Sequence, residues 1–192
     1  MFEFVLSRVQ RISTWPVFWL FLVMYLVFAF ALMPLLATSS DIPAGATAPL
    51  DLLFAYSPDV AFAHVQSLGE AGRKLSTTMH LTLDVAYPIV YSLLFAVILC
   101  MTLRYLAAST SWAARTKWLP LLPFAILDFD LLENFGISYL MMAWPKQPET
   151  IAKLTSFATS AKWSLVAVVL SLVLLLSLLA LFKRLTGKPE TR

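Results

Sequence analysis

The chain has 192 residues, of which 60% are hydrophobic and only 13% are charged, and its mean hydropathy is +0.80. A soluble domain carries roughly 45–50% apolar and about 25% charged residues, so this composition excludes an ordinary soluble enzyme, a disordered protein and a disulfide-stapled secreted module. The net charge is +3, but the basic residues lie in short loops, which is typical of membrane topology rather than of nucleic-acid binding. The sequence therefore predicts one membrane domain covering residues 1–192.

Four segments are long and apolar enough to cross a bilayer as helices, which takes about 20 residues each. They lie at about 15–37, 79–103, 118–144 and 161–182. The first segment has 23 residues without a charge, whereas the apolar part of a cleaved signal peptide has about 7–15, so we expect a retained helix. The predicted fold is all-α, a polytopic membrane protein with a bundle of four transmembrane helices.

The segment 38–78 between the first two spans has its own pattern. Residues 38–50 are small and contain Pro and Gly, which is typical of a loop. The sequence Ser57-Pro58-Asp59 predicts a helix start, because a hydroxyl caps, Pro fits the first turn and an acid favours the positive helix end. We expect this helix to lie along the outer membrane interface or to cap the bundle, and Gly69 and Gly72 to break or turn the chain after it. A plain connector is favoured over a lid on an outward-facing pocket.

The distribution of basic residues sets the predicted orientation. Nine of the fourteen basic residues fall on one side if both termini lie there, whereas the other side holds most of the loop acids. The nine are Arg8, Arg11, Arg104, Arg115, Lys117, Lys183, Arg184, Lys188 and Arg192. Because short loops rich in Lys and Arg stay cytoplasmic, we predict cytoplasmic termini and a multi-pass protein of the cell membrane, in a bacterium the inner membrane. Arg73 and Lys74, before the second span, are interpreted as headgroup anchors rather than as a clamp for an anionic substrate.

Ionisable and polar residues inside the predicted spans have an informative spacing. One stripe of the second span and one stripe of the third carry most of them, and the fourth span adds a lysine. Asp128 points about 200° away from Asp130, so we separate it from the group. Counted at about 1.5 Å per residue from the basic anchors, Asp84, Glu133 and Lys162 lie about 24–31 Å outward. The candidate polar pocket in this outer layer consists of His80, Asp84, Tyr87, Tyr91, Asp130, Glu133, Asn134 and Lys162.

Two interpretations of this layer remain open. In the first, Lys162 pairs with Glu133 or Asp130, and the remaining groups form a closed structural network. In the second, the layer is an outward-facing pocket for a ligand, because four acids exceed the one clear basic partner. We favour the pocket, in a binding or accessory role, with the lipid bilayer and a lipid-like ligand or another membrane protein as partners, and with no nucleic acid.

Other functions are weighed against this prediction. The nearest alternative is an intramembrane enzyme that acts on a lipid or isoprenoid by acid–base chemistry, with Asp84 or Glu133 and a tyrosine as the proton-transferring groups. A second alternative is a small proton- or ion-coupled carrier, against which the apolar inner halves of the second and fourth spans argue. His80 and Asp84 share a helix face, but no metal-binding motif is present, so we predict neither a metal nor another cofactor.

The motifs Leu83-Asp84-x-x-Tyr87-Pro88-x-x-Tyr91 and Asp130-x-x-Glu133-Asn134 resemble those of an uncharacterised family of small four-helix bacterial membrane proteins. Leu68-Gly69-x-x-Gly72-Arg73, Leu119-Pro120 and Lys162 add to the resemblance, which covers about 57–163. It implies a four-helix fold and a shared polar layer, and it implies no activity. Asp128 is an addition to the family pattern.

Overall fold

The computed structural model describes residues 2–34, 48–107 and 111–186, and over these residues the chain is helical without a strand. Two short 3₁₀ turns, Leu50–Leu52 and Leu119–Leu121, precede the third and seventh helices. The α-helices are α1 Phe2–Ile12, α2 Trp15–Val27, α3 Pro58–Ser67, α4 Gly69–Leu81, α5 Leu83–Ala107, α6 Ser111–Arg115, α7 Leu122–Ala143 and α8 Glu149–Thr186, and a π-helical turn over Phe28–Leu32 extends α2.

Three stretches are long and apolar enough to span a membrane, namely Trp15–Leu32, Gly69–Ala107 and Glu149–Thr186. The first and third have apolar outward faces: Phe30 of the first stretch is 76% exposed, and Phe182 of the third is 66% exposed. Large apolar side chains facing outward over whole helices are characteristic of a surface in contact with lipid. The chain is therefore an all-helical membrane protein.

The third predicted span, at about 118–144, corresponds to α7, which has 22 residues and is not among the three apolar stretches. It carries Asp128, Asp130 and Glu133, and this acid content sets it apart from the three apolar stretches. Asp130 and Glu133 are nevertheless buried, because α7 packs against α4, α5 and α8. The polar helix thus lies among the apolar ones.

The most extensive helix contact joins α7 to α8. Gly136 makes it possible, since a Cβ atom there would lie 2.8 Å from Thr155 Cγ2 and 3.0 Å from Thr155 Cβ. Above this contact, Val65 of α3 packs with Ile137 and Leu140 of α7. Below it, the described core is apolar and closely packed around Leu99, Ile126 and Val169, all without exposed surface.

Two helices begin earlier than the predicted spans. The second span was predicted to begin at about 79, but helix starts at Gly69, whose φ of +64° allows the chain to turn sharply after α3. Gly72, expected to help turn the chain, lies inside α4 instead. The helix then breaks at Thr82 (φ −122°, ψ −77°), whose hydroxyl donates to the Thr78 carbonyl at 2.6 Å. Such local hydrogen bonds compete with the helical ladder.

The fourth span was predicted to begin at about 161, whereas α8 begins at Glu149. Its first three turns are too polar for a hydropathy criterion, but their small polar side chains are buried: Thr155, Ser156 and Thr159 pack inward, and Thr155 and Thr159 hydrogen-bond carbonyls of their own helix. Lys162 consequently lies within a continuous helix rather than near its start. Residues 38–47 of the predicted outer loop lie outside the described residues.

Candidate functional site

A cavity of about 330 Å³ lies between α2, α5, α7 and α8, which is at the small end of the range for ligand sites. Asp84, Asp130, Asn134 and Lys162 line one end of it. The other end is apolar and is bounded by aromatic and aliphatic side chains. The polar stripes of the second and third predicted spans therefore contribute to the same wall, and Lys162 of α8 completes it.

Asn134 is the centre of the polar end. Its amide nitrogen donates to the Asp84 carbonyl at 2.6 Å and to Asp130 Oδ1 at 3.0 Å, and its amide oxygen lies 3.2 Å from His80 Nδ1. The bond to the Asp84 carbonyl follows from the proline in α5. In a helix this carbonyl would accept a hydrogen bond from the residue four positions on, but that residue is Pro88, which has no N–H. Asn134 thus supplies the donor that the proline removes.

Two of the three acids that line the cavity, Asp84 and Asp130, differ in their surroundings. Asp130 accepts hydrogen bonds at both oxygens, from Asn134 and, at 2.5 Å, from the hydroxyl of Tyr91. Asp84 forms an ion pair or hydrogen bond with His80 at 2.9 Å, and its side chain stays 24% exposed. Asp84 is therefore the more accessible carboxylate for a molecule in the cavity.

Glu133 lies behind the wall rather than on it. Its side chain has no exposed surface, and its Oε2 accepts from the ammonium group of Lys162, whose side chain is 9% exposed. The other oxygen of Glu133, Oε1, is buried without a hydrogen-bond partner among the described residues. The closed ion pair that the sequence offered as one interpretation is present, but it occupies only part of the polar layer, because the cavity lies next to it.

An aromatic wall continues from the polar end toward the centre of the bundle. Tyr87 stacks on Tyr25 of α2 (ring centroids 5.8 Å apart, planes at 18°) and on Phe28 (5.6 Å, 20°). Tyr91 meets Tyr87 edge-on at 5.3 Å, and Phe95 follows one turn further at 6.0 Å from Tyr91. The cavity thus has carboxylates at one end and stacked rings along its side.

The turn Leu50–Leu52 covers the polar end of the cavity and is tied to α8. Trp163 Nε1 donates to the Asp51 carbonyl at 3.0 Å, and the Ser160 hydroxyl donates to the Phe54 carbonyl at 2.8 Å. Tyr56 continues the contact, since its N–H donates to Ser156 Oγ at 2.9 Å, and burial raises the pKa of its hydroxyl above the ordinary value. These bonds hold Asp51 and Leu52 as a roof over the cavity.

The cavity also has an open side. Leu170 of α8 lines it and is 46% exposed, and Leu52 of the roof is 65% exposed. On this side α2 packs against α5, and no comparable packing joins α2 to α8 within the described residues. Among the described residues, the cavity therefore lacks a packed wall between α2 and α8, and this gap borders exposed apolar side chains.

His80 does not line the cavity. It borders a smaller hollow of about 160 Å³ together with Asp51, His64 and Asp84, on the opposite side of the Asp84 carboxylate. Among residues 2–34, 48–107 and 111–186, no three His, Cys, Asp or Glu side chains are grouped so that they could hold a metal ion. His80 acts on the site through Asp84 and Asn134.

Arg73 and Lys74, the predicted headgroup anchors, lie on α4 outside the cavity. The Arg73 guanidinium donates to the Val65 carbonyl at 3.3 Å and lies 5.6 Å from the centre of the Trp144 ring. Arg73 therefore joins α4 to the end of α3 and to the end of α7. Lys74 is exposed beside it.

Sequence reasoning missed several residues of the cavity wall: Tyr25, Asp51, Phe95 and Trp163. Tyr25 is a polar hydroxyl within an uncharged apolar span, which is a weak signal that this face of the helix is not simply lipid-facing. Asp51 and Trp163 gave no signal, because their position depends on a contact between distant parts of the chain. Asp128 is exposed on α7 and does not line the cavity, which confirms that it is separate from the group.

Comparison with known proteins adds no assignment: no family model, no curated protein and no solved structure matches the chain significantly.

Proposed function

We propose that the chain is a four-span protein of the bacterial inner membrane, with both termini in the cytoplasm and α7 as the third of its four spans. The length of α7 and its packing against α4, α5 and α8 support a span in which Asp130 and Glu133 face the bundle, whereas Asp128 is exposed. The clustering of Lys and Arg at the opposite end from the cavity supports the orientation. In this arrangement the cavity lies in the outer half of the membrane and α3 lies near its outer surface.

We further propose that the protein binds a small ligand in this cavity, in a binding or accessory role. The observation that carries the proposal is the accessible space of about 330 Å³ directly beside Asp84 and Asp130. A network with a purely structural role has no need for such a space, and ionisable groups at this depth are retained where they pair or line a functional cavity.

An enzyme that acts on a lipid or isoprenoid is the second candidate. The gap between α2 and α8 favours it, since a lipid-soluble substrate would enter from the side. Asp84 would then be the proton-transferring group, because it is the more exposed acid and has Tyr87 on the same wall. A coupled carrier has less support, because the closely packed apolar core around Leu99 and Val169 leaves no polar path inward among the described residues.

Cysteine accessibility tests the outward-facing cavity. Cys100 is the single cysteine of the sequence, so Cys100→Ser gives a background without thiols. In this background, Val166→Cys places a thiol on the cavity wall, whereas Leu174→Cys places one on the lipid-facing surface, where Leu174 is 60% exposed. Thr150→Cys, at the start of α8, serves as the water-exposed reference.

Reagents that do not cross membranes are added from the outside of right-side-out vesicles. We expect Val166→Cys to react with small water-soluble methanethiosulfonates and Leu174→Cys to remain unmodified, because thiolates do not form in hydrocarbon. If Val166→Cys reacts no faster than Leu174→Cys with any of these reagents, the outward-facing cavity is refuted.

A further inference from the structure

We infer that the ligand of this cavity is an amphiphile with a cationic amine head and an apolar tail, and that it enters between α2 and α8. The inference rests on the proposed function and names the class of ligand that the same cavity would take. Three independent features of the wall carry it: the balance of charge, the aromatic side and the lateral gap.

Charge balance favours a cation at the polar end. Asp51, Asp84 and Asp130 line the cavity, and the only basic side chain among its described lining residues, Lys162, is engaged with Glu133. His80 adds one further positive charge only when it is protonated. The wall therefore carries an excess of carboxylates in a region of low dielectric constant, where an uncompensated charge is unfavourable.

The same balance disfavours an anionic head. A phosphate or carboxylate would have to compete with Glu133 for the Lys162 ammonium group and would lie close to Asp84 and Asp130. An ammonium group, in contrast, can meet the partly exposed Asp84 carboxylate directly. The hydrogen bonds that Asp130 accepts from Tyr91 and Asn134 are those expected of a carboxylate, which adds to the attraction.

The aromatic side of the cavity suits an ammonium group better than a metal ion or a proton alone. Tyr25, Tyr87 and Tyr91 line the wall beside the carboxylates, and ring faces attract alkylammonium groups, which are recognised in proteins by aromatic cages. A bare metal ion would need several oxygen or nitrogen ligands at close range, and the described residues offer no such group of three.

The apolar end supplies the place for a tail. Beyond the tyrosines the wall is formed by Phe95, Val166 and Leu170, without an ionisable group. Because Leu170 is 46% exposed and borders the gap between α2 and α8, a chain that extends past it reaches the lipid phase. A molecule with its head at Asp84 and its tail at Leu170 matches both ends of the cavity.

The experiment uses the Val166→Cys protein reconstituted in phosphatidylcholine vesicles. Trimethylammonioethyl and sulfonatoethyl methanethiosulfonate have similar size and opposite charge. The quantity measured is the ratio of their modification rates, cationic over anionic, and the ratio at Val166→Cys is divided by that at Thr150→Cys to correct for intrinsic reactivity. We expect the corrected ratio at Val166→Cys to favour the cationic reagent at least about tenfold, because one uncompensated carboxylate about 6 Å away produces a ratio of that size even at the dielectric constant of water, about 80.

Two variants assign the preference to the wall. Asp84→Asn should reduce the ratio several-fold, whereas Asp128→Asn, which removes an acid of the neighbouring helix outside the cavity, should leave it unchanged. If Asp84→Asn elutes as an aggregate in size-exclusion chromatography, Asp51→Asn in the roof takes its place.

Protection then tests the tail. Decyltrimethylammonium should slow modification of Val166→Cys at concentrations where decyl sulfate and decanol do not, and trimethylamine without a tail should protect far less. The cationic amine head is refuted, and the cavity is not, by either of two results. One is rapid modification of Val166→Cys with a corrected ratio near one, and the other is equal protection by the cationic and anionic decyl compounds. Absence of modification by both reagents contradicts the cavity itself, so the two failures are distinguishable.

Discussion

The buried pair of Glu133 and Lys162 makes the most direct prediction about stability. The two side chains are 0% and 9% exposed, so neither charge is well screened by water when its partner is removed. Loss of one partner from a buried ion pair costs about 3–5 kcal/mol. Lys162→Met should reach this range, because it leaves Glu133 buried with neither oxygen paired. Glu133→Gln should cost less, about 2–3 kcal/mol, because the Lys162 ammonium group that it leaves without its partner still borders the cavity beside Asp130.

The double variant Glu133→Gln/Lys162→Met provides the critical comparison. It removes both charges, so we expect it to be more stable than Lys162→Met alone, with a coupling of about 1–3 kcal/mol between the two sites. The free energy of unfolding is measured in mixed micelles of sodium dodecyl sulfate and a mild detergent, followed by tryptophan fluorescence.

The matched control lies on the same helix. Lys153 and Glu149 form an exposed pair at 3.1 Å, with side chains 64% and 68% exposed, and their substitutions to Met and Gln should each cost well under about 1 kcal/mol. If the effects at Glu133 and Lys162 simply add in the double variant, or do not exceed those of this exposed pair, the reasoning from burial is refuted.

Two further predictions concern the contacts of α7, and thermal unfolding of the purified protein tests both. Asn134→Leu should cost about 1–3 kcal/mol by leaving buried partners unpaired, and less in a Pro88→Ala background, where residue 88 regains its N–H. The control Ser138→Ala removes a buried hydroxyl without a partner among the described residues and should cost nothing. An equal loss on Asn134→Leu in both backgrounds would contradict the role of Asn134 as the donor that replaces the missing N–H of Pro88. Gly136→Ala should cost about 1–3 kcal/mol by overpacking against Thr155, with partial recovery on Thr155→Ala, whereas an unchanged midpoint would mean that the helices separate freely.

The helical period made part of the site predictable. Asp84 and Tyr91 share a helix face, as do Asp130 and Asn134, and the structure has all four on the cavity wall. The same period separated Asp128, which is exposed. These predictions needed only the number of residues per turn, a property of the backbone that does not depend on the rest of the fold.

Contacts between distant segments could not be predicted in this way. Asp51 reaches the cavity because its turn is tied to Trp163, more than a hundred residues away. The early start of α8 depends on small polar residues such as Thr155 that pack on Gly136, although their hydropathy is typical of a loop. Such residues are stable inside a helix bundle because they allow close approach and find partners there, which a hydropathy average does not register.

One long-range contact did leave a signal in the sequence. A proline in a helix removes the donor for the carbonyl four residues earlier, and Pro88 therefore predicts an unsatisfied acceptor at Asp84. A buried acceptor needs another donor, and in a membrane water cannot be assumed to provide it. Asn134, a side chain with an amide donor on a neighbouring span, meets that need. Pro88 thus accounts for a contact between the polar stripes of the second and third spans. Because the Asp84 carbonyl is bonded to Asn134, the carboxylate of Asp84 is held at the cavity.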